Sequence, residues 1–249
     1  MIRPLLLAGL VLSGCDKSAV PLDANPGVEP VRAVSGDRVE LTTRDDVSIV
    51  GDVWLTGEVG TPGVVLLHMT PRGPWTRTDW PDPFVESLHA QGLAVIRIDR
   101  RGAGESGGNA DDAFDGETGR YDVEAAVQYL AANGLGKLAV VGASNGTTSL
   151  VDYAVWAEGE NLPAVAAMAF MSPGSYTENQ TAFADVPQVP ALFQYPSNES
   201  AWPETQQAAA PDLWTFTEYT GTAHGTQLFA DNDATAAELQ MFLVDALTD

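Results

Sequence analysis

The sequence predicts an α/β domain, a mostly parallel central sheet flanked by helices, and three observations lead there. Residues 63–68, 94–99 and 137–142 are compact apolar runs of the kind found in strands covered on both faces. Helical patterns with apolar residues on one side fall between such runs. Strand and helix then alternate from residue 63 onward, as right-handed crossover connections require.

Taken in order, the chain opens on an address. Arg3 supplies one positive charge, residues 4–12 are apolar, and Ser13 and Gly14 precede Cys15, the only cysteine. Nine apolar residues are about half of what a bilayer-spanning helix needs, so the pattern is that of a secretory signal. Leu12-Ser13-Gly14-Cys15 resembles the lipobox of bacterial lipoproteins, which implies diacylglycerol on the Cys15 thiol after cleavage. Residues 1–14 are then a signal peptide, 15–35 a flexible tether rich in Pro, Ala, Asn and Gly, and 36–249 the folded domain. The expected location is the bacterial cell envelope, as an exported, membrane-attached lipoprotein.

Residues 38–43, an Asp45-Asp46 turn and the alternating Val47, Ile49, Gly51, Val53 and Leu55 predict an antiparallel pair of strands. The three apolar runs follow, with further strands over 164–171, 190–195 and 213–219. Helices are predicted over 83–91, 122–132 (stopped by Asn133-Gly134), 144–156 and 234–247. About eighteen residues separate the strands that end at Met171 and begin after Val189, too few for a cap domain. The acidic segment Asp111-Asp112-Ala113-Phe114-Asp115-Gly116-Glu117 lacks the ligand register of a calcium loop and is read as solvated, so no metal site is assigned.

Composition narrows the partners. With 45% hydrophobic and 18% charged residues the chain is globular. Thirty-four acidic against twelve basic residues give a net charge of −22, and Lys17 and Lys137 are the only lysines. Such a surface repels phosphate backbones, so nucleic acid is excluded as a partner. The acidity fits either plain solubility or adaptation to high salt.

The chemistry is carried by Gly142-Ala143-Ser144-Asn145-Gly146, which follows a buried strand and opens a helix. This Gly-x-Ser-x-Gly sequence, in that strand–turn–helix context, is a nucleophile elbow. A tight turn leaves no room for side chains at its flanks and projects the Ser144 hydroxyl over the sheet edge, while the Asn145 N–H at the helix start can face an oxyanion. A serine needs a base, and there are three histidines. His89 lies in a helical pattern and His68 ends the first parallel strand. His224 lies in the small-residue loop 220–225, after the last strand and after the serine. The chain resembles the α/β-hydrolase superfamily of serine hydrolases, the esterases and dienelactone-hydrolase-like enzymes, in which nucleophile, acid and histidine follow in that order.

That resemblance spans residues 63 to about 245 and extends to further segments. Leu66-Leu67-His68-Met69-Thr70-Pro71 resembles the loop whose backbone N–H completes the oxyanion hole, which implies Met69 as second donor, with Thr70 next. Asp99-Arg100-Arg101-Gly102-Ala103-Gly104-Glu105-Ser106 resembles a structural Asp-x-Arg-Gly-x-Gly-x-Ser loop. Phe193-Gln194-Tyr195-Pro196-Ser197-Asn198-Glu199 resembles the strand end at which relatives carry an Asp; Glu199 matches that position, with Asp212 and Asp185 as reserves. What the resemblance implies is a carboxylesterase-like hydrolase of a small-molecule ester or thioester, working through an acyl-enzyme on Ser144 without metal or organic cofactor. A peptidase or amidase with the same three residues, and a membrane-anchored binding protein on a hydrolase scaffold, are the alternatives.

Overall fold

The hairpin at the start of the domain closes where Asp45 and Asp46 break the apolar alternation. β1 (Asp37–Thr42) and β2 (Ser48–Trp54) pair antiparallel with Leu41 opposite Ile49, and Asp46 takes a left-handed φ of 62° in the turn. The computed structural model describes residues 36–175, 183 and 185–248. The expected signal, Cys15 and the tether lie outside the described residues. No helix among the described residues is long and apolar enough to cross a membrane.

Beyond β2 lie β3 (Thr61–Leu67), β4 (Ala94–Ile98), β5 (Leu135–Ala143), β6 (Val165–Met171), β7 (Ala191–Pro196) and β8 (Trp214–Tyr219). They form one eight-stranded sheet in the order β1-β2-β4-β3-β5-β6-β7-β8. β4 pairs antiparallel with β2, and every pairing from β4 to β8 is parallel. The fold is that of an α/β hydrolase.

The unbroken apolar runs have a simple cause. Side chains alternate across a strand, so Val65 and Leu67 enter one core while Val64 and Leu66 enter the other. The first core is closed by α3 (Gly119–Ala132) and α4 (Gly146–Ala157), through Val123, Val127, Leu130, Leu150 and Ala154. The second is closed by α1 (Asp82–Ala90) and α7 (Ala234–Thr248), through Phe84, Val85, Leu88, Leu239, Leu243 and Leu247. β5 runs between the layers from an exposed end at Lys137 to buried Ala143. On the α3/α4 side, Phe170, Phe193 and Phe216 are register partners on β6, β7 and β8. Their rings stack at 4.7 and 4.4 Å between centroids.

Three short helices depart from the sequence expectation. α2 (Ala110–Phe114) replaces part of the expected acidic loop: Asn109 caps it by accepting from the Asp111 N–H at 3.1 Å. Arg72 pairs with both Asp111 and Asp115. α5 (Ala201–Gln207) and α6 (Leu228–Asp231) are likewise too short to show a period. Of the arginines among the described residues, only Arg100 lacks a carboxylate within ion-pair distance.

Candidate active site

The carboxyl ends of the parallel strands converge on one edge, where ligands bind in sheets of this kind. At the end of β5 the chain turns into α4 so closely beneath β3 that side chains have no room. A Cβ on Gly146 would lie 2.5 Å from the His68 carbonyl oxygen, and one on Gly142 would lie 2.7 Å from the Thr147 nitrogen. Between them Ser144 holds a left-handed φ of 50°, a strained value for a residue with a side chain. Its N–H donates to the Met171 carbonyl at 2.7 Å, and its carbonyl accepts from the Thr147 N–H and hydroxyl at 3.0 and 2.6 Å.

His224 stands at the head of a 3₁₀ turn, Gly225–Gln227, that follows β8, and its N–H donates to Gln227 Oε1 at 3.3 Å. Glu199 ends another 3₁₀ turn, Ser197–Glu199, directly after β7. The two turns touch: the Ser197 hydroxyl and the Gly221 backbone bond each other in both directions at 3.4 Å.

These placements bring the three sequence candidates together. Ser144 Oγ lies 2.6 Å from His224 Nε2, and His224 Nδ1 lies 2.7 Å from Glu199 Oε1. With Nδ1–H donating to the carboxylate, Nε2 is left to accept from the serine hydroxyl. Ser144 is buried, whereas the His224 and Glu199 side chains are 31% and 22% exposed, so solvent reaches the histidine side of the group. A base poised on a hydroxyl and steadied by a carboxylate can take the proton as the oxygen attacks a carbonyl. Asp212 and Asp185, the reserve acids, are exposed.

Asn145 and Met69, the candidate oxyanion donors, are both buried. Neither backbone N–H has an acceptor among the described residues. His68 lies below them in full burial, with Nε2 accepting from the Arg100 N–H at 2.9 Å. Burial first, and the nearby Arg100 charge second, hold its pKa well below the ordinary histidine value. His89 is remote in α1, with Nδ1 3.3 Å from the Leu93 carbonyl oxygen. No group of three or more His, Cys, Asp or Glu with metal-binding geometry occurs among the described residues.

One residue here escaped the sequence reading. Ser172, just past the end of β6, repeats the left-handed φ of 50°, and its N–H donates to the Gln194 carbonyl at 2.7 Å. Its hydroxyl accepts from the Gly225 N–H at 2.8 Å, which pins the residue next to His224. The only sequence signal is a Ser-Pro-Gly turn after a strand.

Known structures with this architecture include an esterase of Pyrococcus furiosus, with a TM-score of 0.66 over 91% of this chain and 99% of that one at 16% identity. A Xanthomonas campestris α/β serine hydrolase described as lacking a lid gives 0.62 over 88% and 97% at 17% identity. A Coxiella burnetii α/β serine hydrolase homologue gives 0.62 over 84% and 96% at 15% identity. At such identities the likeness speaks for the fold. No curated protein matches the sequence. A family model does: residues 75–223 match that of the serine aminopeptidases of family S33, a stretch that contains Ser144 and Glu199 and stops one residue short of His224. The chain therefore belongs to the S33 serine aminopeptidase family of α/β serine hydrolases.

Proposed function

We propose that this chain hydrolyses carboxylic esters or thioesters of small molecules through an acyl-enzyme on Ser144. The observation that carries the reading is the unbroken run of two short hydrogen bonds from Ser144 through His224 to Glu199. In the proposed cycle Ser144 Oγ adds to the substrate carbonyl while His224 Nε2 takes its proton. The N–H groups of Met69 and Asn145 receive the oxyanion. His224 returns the proton to the leaving alcohol or thiol, and water, activated by the same base, releases the acid. Glu199 keeps the imidazole in the right tautomer and supports its positive charge. The scheme calls on no metal or organic cofactor.

A second reading, peptidase or amidase chemistry with the same residues, is favoured by the family's aminopeptidase description. A panel of aryl esters, thioesters and aminoacyl anilides separates the two. Labelling with a fluorophosphonate, followed by mass-spectrometric mapping, tests what both share: modification of Ser144 is expected, and modification elsewhere or none refutes a serine hydrolase centred there. We further propose that the protein is exported and held at the membrane by lipid on Cys15, as the leader suggests.

A further inference from the structure

Arg100 is fully buried, with no carboxylate within ion-pair distance among the described residues. Taking a guanidinium out of water without a counter-charge in contact is costly. Burial lowers its pKa to about 10, with Asp122 and Asp152 supporting the charge from farther off, so it remains a cation at neutral pH. Nε has no acceptor among the described residues. A stability argument alone would favour an apolar side chain at this place.

What the guanidinium holds explains why a cation stands there. Nη1 donates to the Met69 carbonyl at 2.9 Å and to Asn145 Oδ1 at 3.0 Å. Nη2 donates to the Ala113 carbonyl and to Ser149 Oγ, both at 2.9 Å. The Asn145 side chain is thus turned inward, and its Nδ2 donates to the Phe114 carbonyl at 3.3 Å. One nitrogen of a rigid planar fork therefore grips the two residues proposed to supply the oxyanion donors. The bond to the Met69 carbonyl anchors Met69 from its C-terminal side, and the Arg100 backbone N–H, donating to His68 Nε2 at 2.9 Å, anchors the residue whose carbonyl shares a peptide plane with the Met69 N–H. The bond to Asn145, opposed by the one to Phe114, fixes the head of α4. Donors held in this way need no reorganisation when charge develops, which is where such groups act most strongly.

We propose that Arg100 is a positioning residue for acyl transfer: its buried fork sets the spacing and direction of the two backbone donors that receive the oxyanion. The inference rests on the function proposed above. A lysine at position 100 would keep the charge but present a single ammonium to four acceptors fanned around a plane, so charge and geometry are separable.

The test uses the full chain as wild type, Arg100→Met and Arg100→Lys, with active sites counted by fluorophosphonate titration so that unfolded protein does not enter kcat. kcat and KM are measured on a short-chain aryl ester, and inhibition constants for an alkyl trifluoromethyl ketone. That ketone bonds its carbonyl carbon to Ser144 Oγ; the π pair moves to the oxygen and the serine proton passes to His224. Arg100→Met is expected to lower kcat per site roughly 100-fold, as loss of one oxyanion donor does. KM should stay within about 3-fold, and the ketone should bind weaker by the same factor as kcat falls. Arg100→Lys should lose on the order of 10-fold in both, since an interaction made only in the transition state weakens kcat and analogue binding together. Wild-type kcat per site and ketone affinity in Arg100→Lys would overturn the proposal, and that variant decides the matter if Arg100→Met does not fold. A KM change without a kcat change would overturn it too. If wild type itself takes neither probe at Ser144, the hydrolase reading falls and this inference with it; if wild type reacts and both variants match it, only the inference falls.

Discussion

Ser144 and His224 act on one proton, so in the proposed mechanism neither is useful alone. Ser144→Ala and His224→Ala should each lower kcat on a short-chain aryl ester by about 10⁴ to 10⁶, with the double variant little worse than either single one. Glu199→Gln should lose less, because the orienting acid commonly costs less than its partners. A second consequence at this scale concerns stability. His68 is buried neutral, with its pKa held below the ordinary value of 6.5. As the pH falls through that value, the unfolded chain takes up a proton that the folded one refuses. The stability His68 contributes is therefore full above about 6.5 and is lost as the pH falls toward its folded pKa. His68→Gln, which can still accept from the Arg100 N–H, should show a smaller drop in melting temperature between pH 7 and 5 than wild type. Residues of this kind differ in how far they can be read from sequence. Ser144 announces itself because the elbow is local, and His224 because few histidines compete. Ser172 and Arg100 do not, since their roles depend on partners 53 and 45 positions away.

At the scale of elements, the strands that carry the candidate site are joined by the phenylalanine stack. Phe193 is fully buried between Phe170 and Phe216, one on each neighbouring strand. Phe193→Ala should cost about 3–5 kcal/mol, mostly through the cavity it leaves. Thermal unfolding should show it, and activity should be lost at a correspondingly lower temperature. A substitution without effect on the melting temperature would mean that the stack is not what joins β6, β7 and β8. The inner strands β3 to β7 were legible because they are buried on both faces over most of their length, the edge hairpin because its apolar residues alternate, and the four long helices because two or more turns reveal a period. α2, α5 and α6 were not, since helices of four to seven residues are stabilised by caps and tertiary partners such as Arg72 rather than by a repeating apolar face.

For the whole molecule the balance of charge is decisive. Nearly every described arginine is spent on an internal pair, so the excess of carboxylates faces water with little cationic relief. Salt should screen that self-repulsion, and the melting temperature should rise modestly from low to molar salt. A flat response would leave solubility as the reason for the acidity. The proposed leader makes its own prediction: Cys15→Ser should prevent lipidation and leave an uncleaved precursor or a mislocalised product, and equal, unlipidated release of both forms would defeat the lipoprotein proposal.

The same shortage of cations has a practical side. Lys137 is the only lysine among the described residues, exposed at the opening end of the strand whose far end leads into Ser144. Six residues of strand at about 3.3 Å each separate them, roughly 20 Å. Amine-reactive coupling at Lys137 to a bead or sensor chip would thus seize the folded domain by its back. Copies held there would present the same open face to the solution.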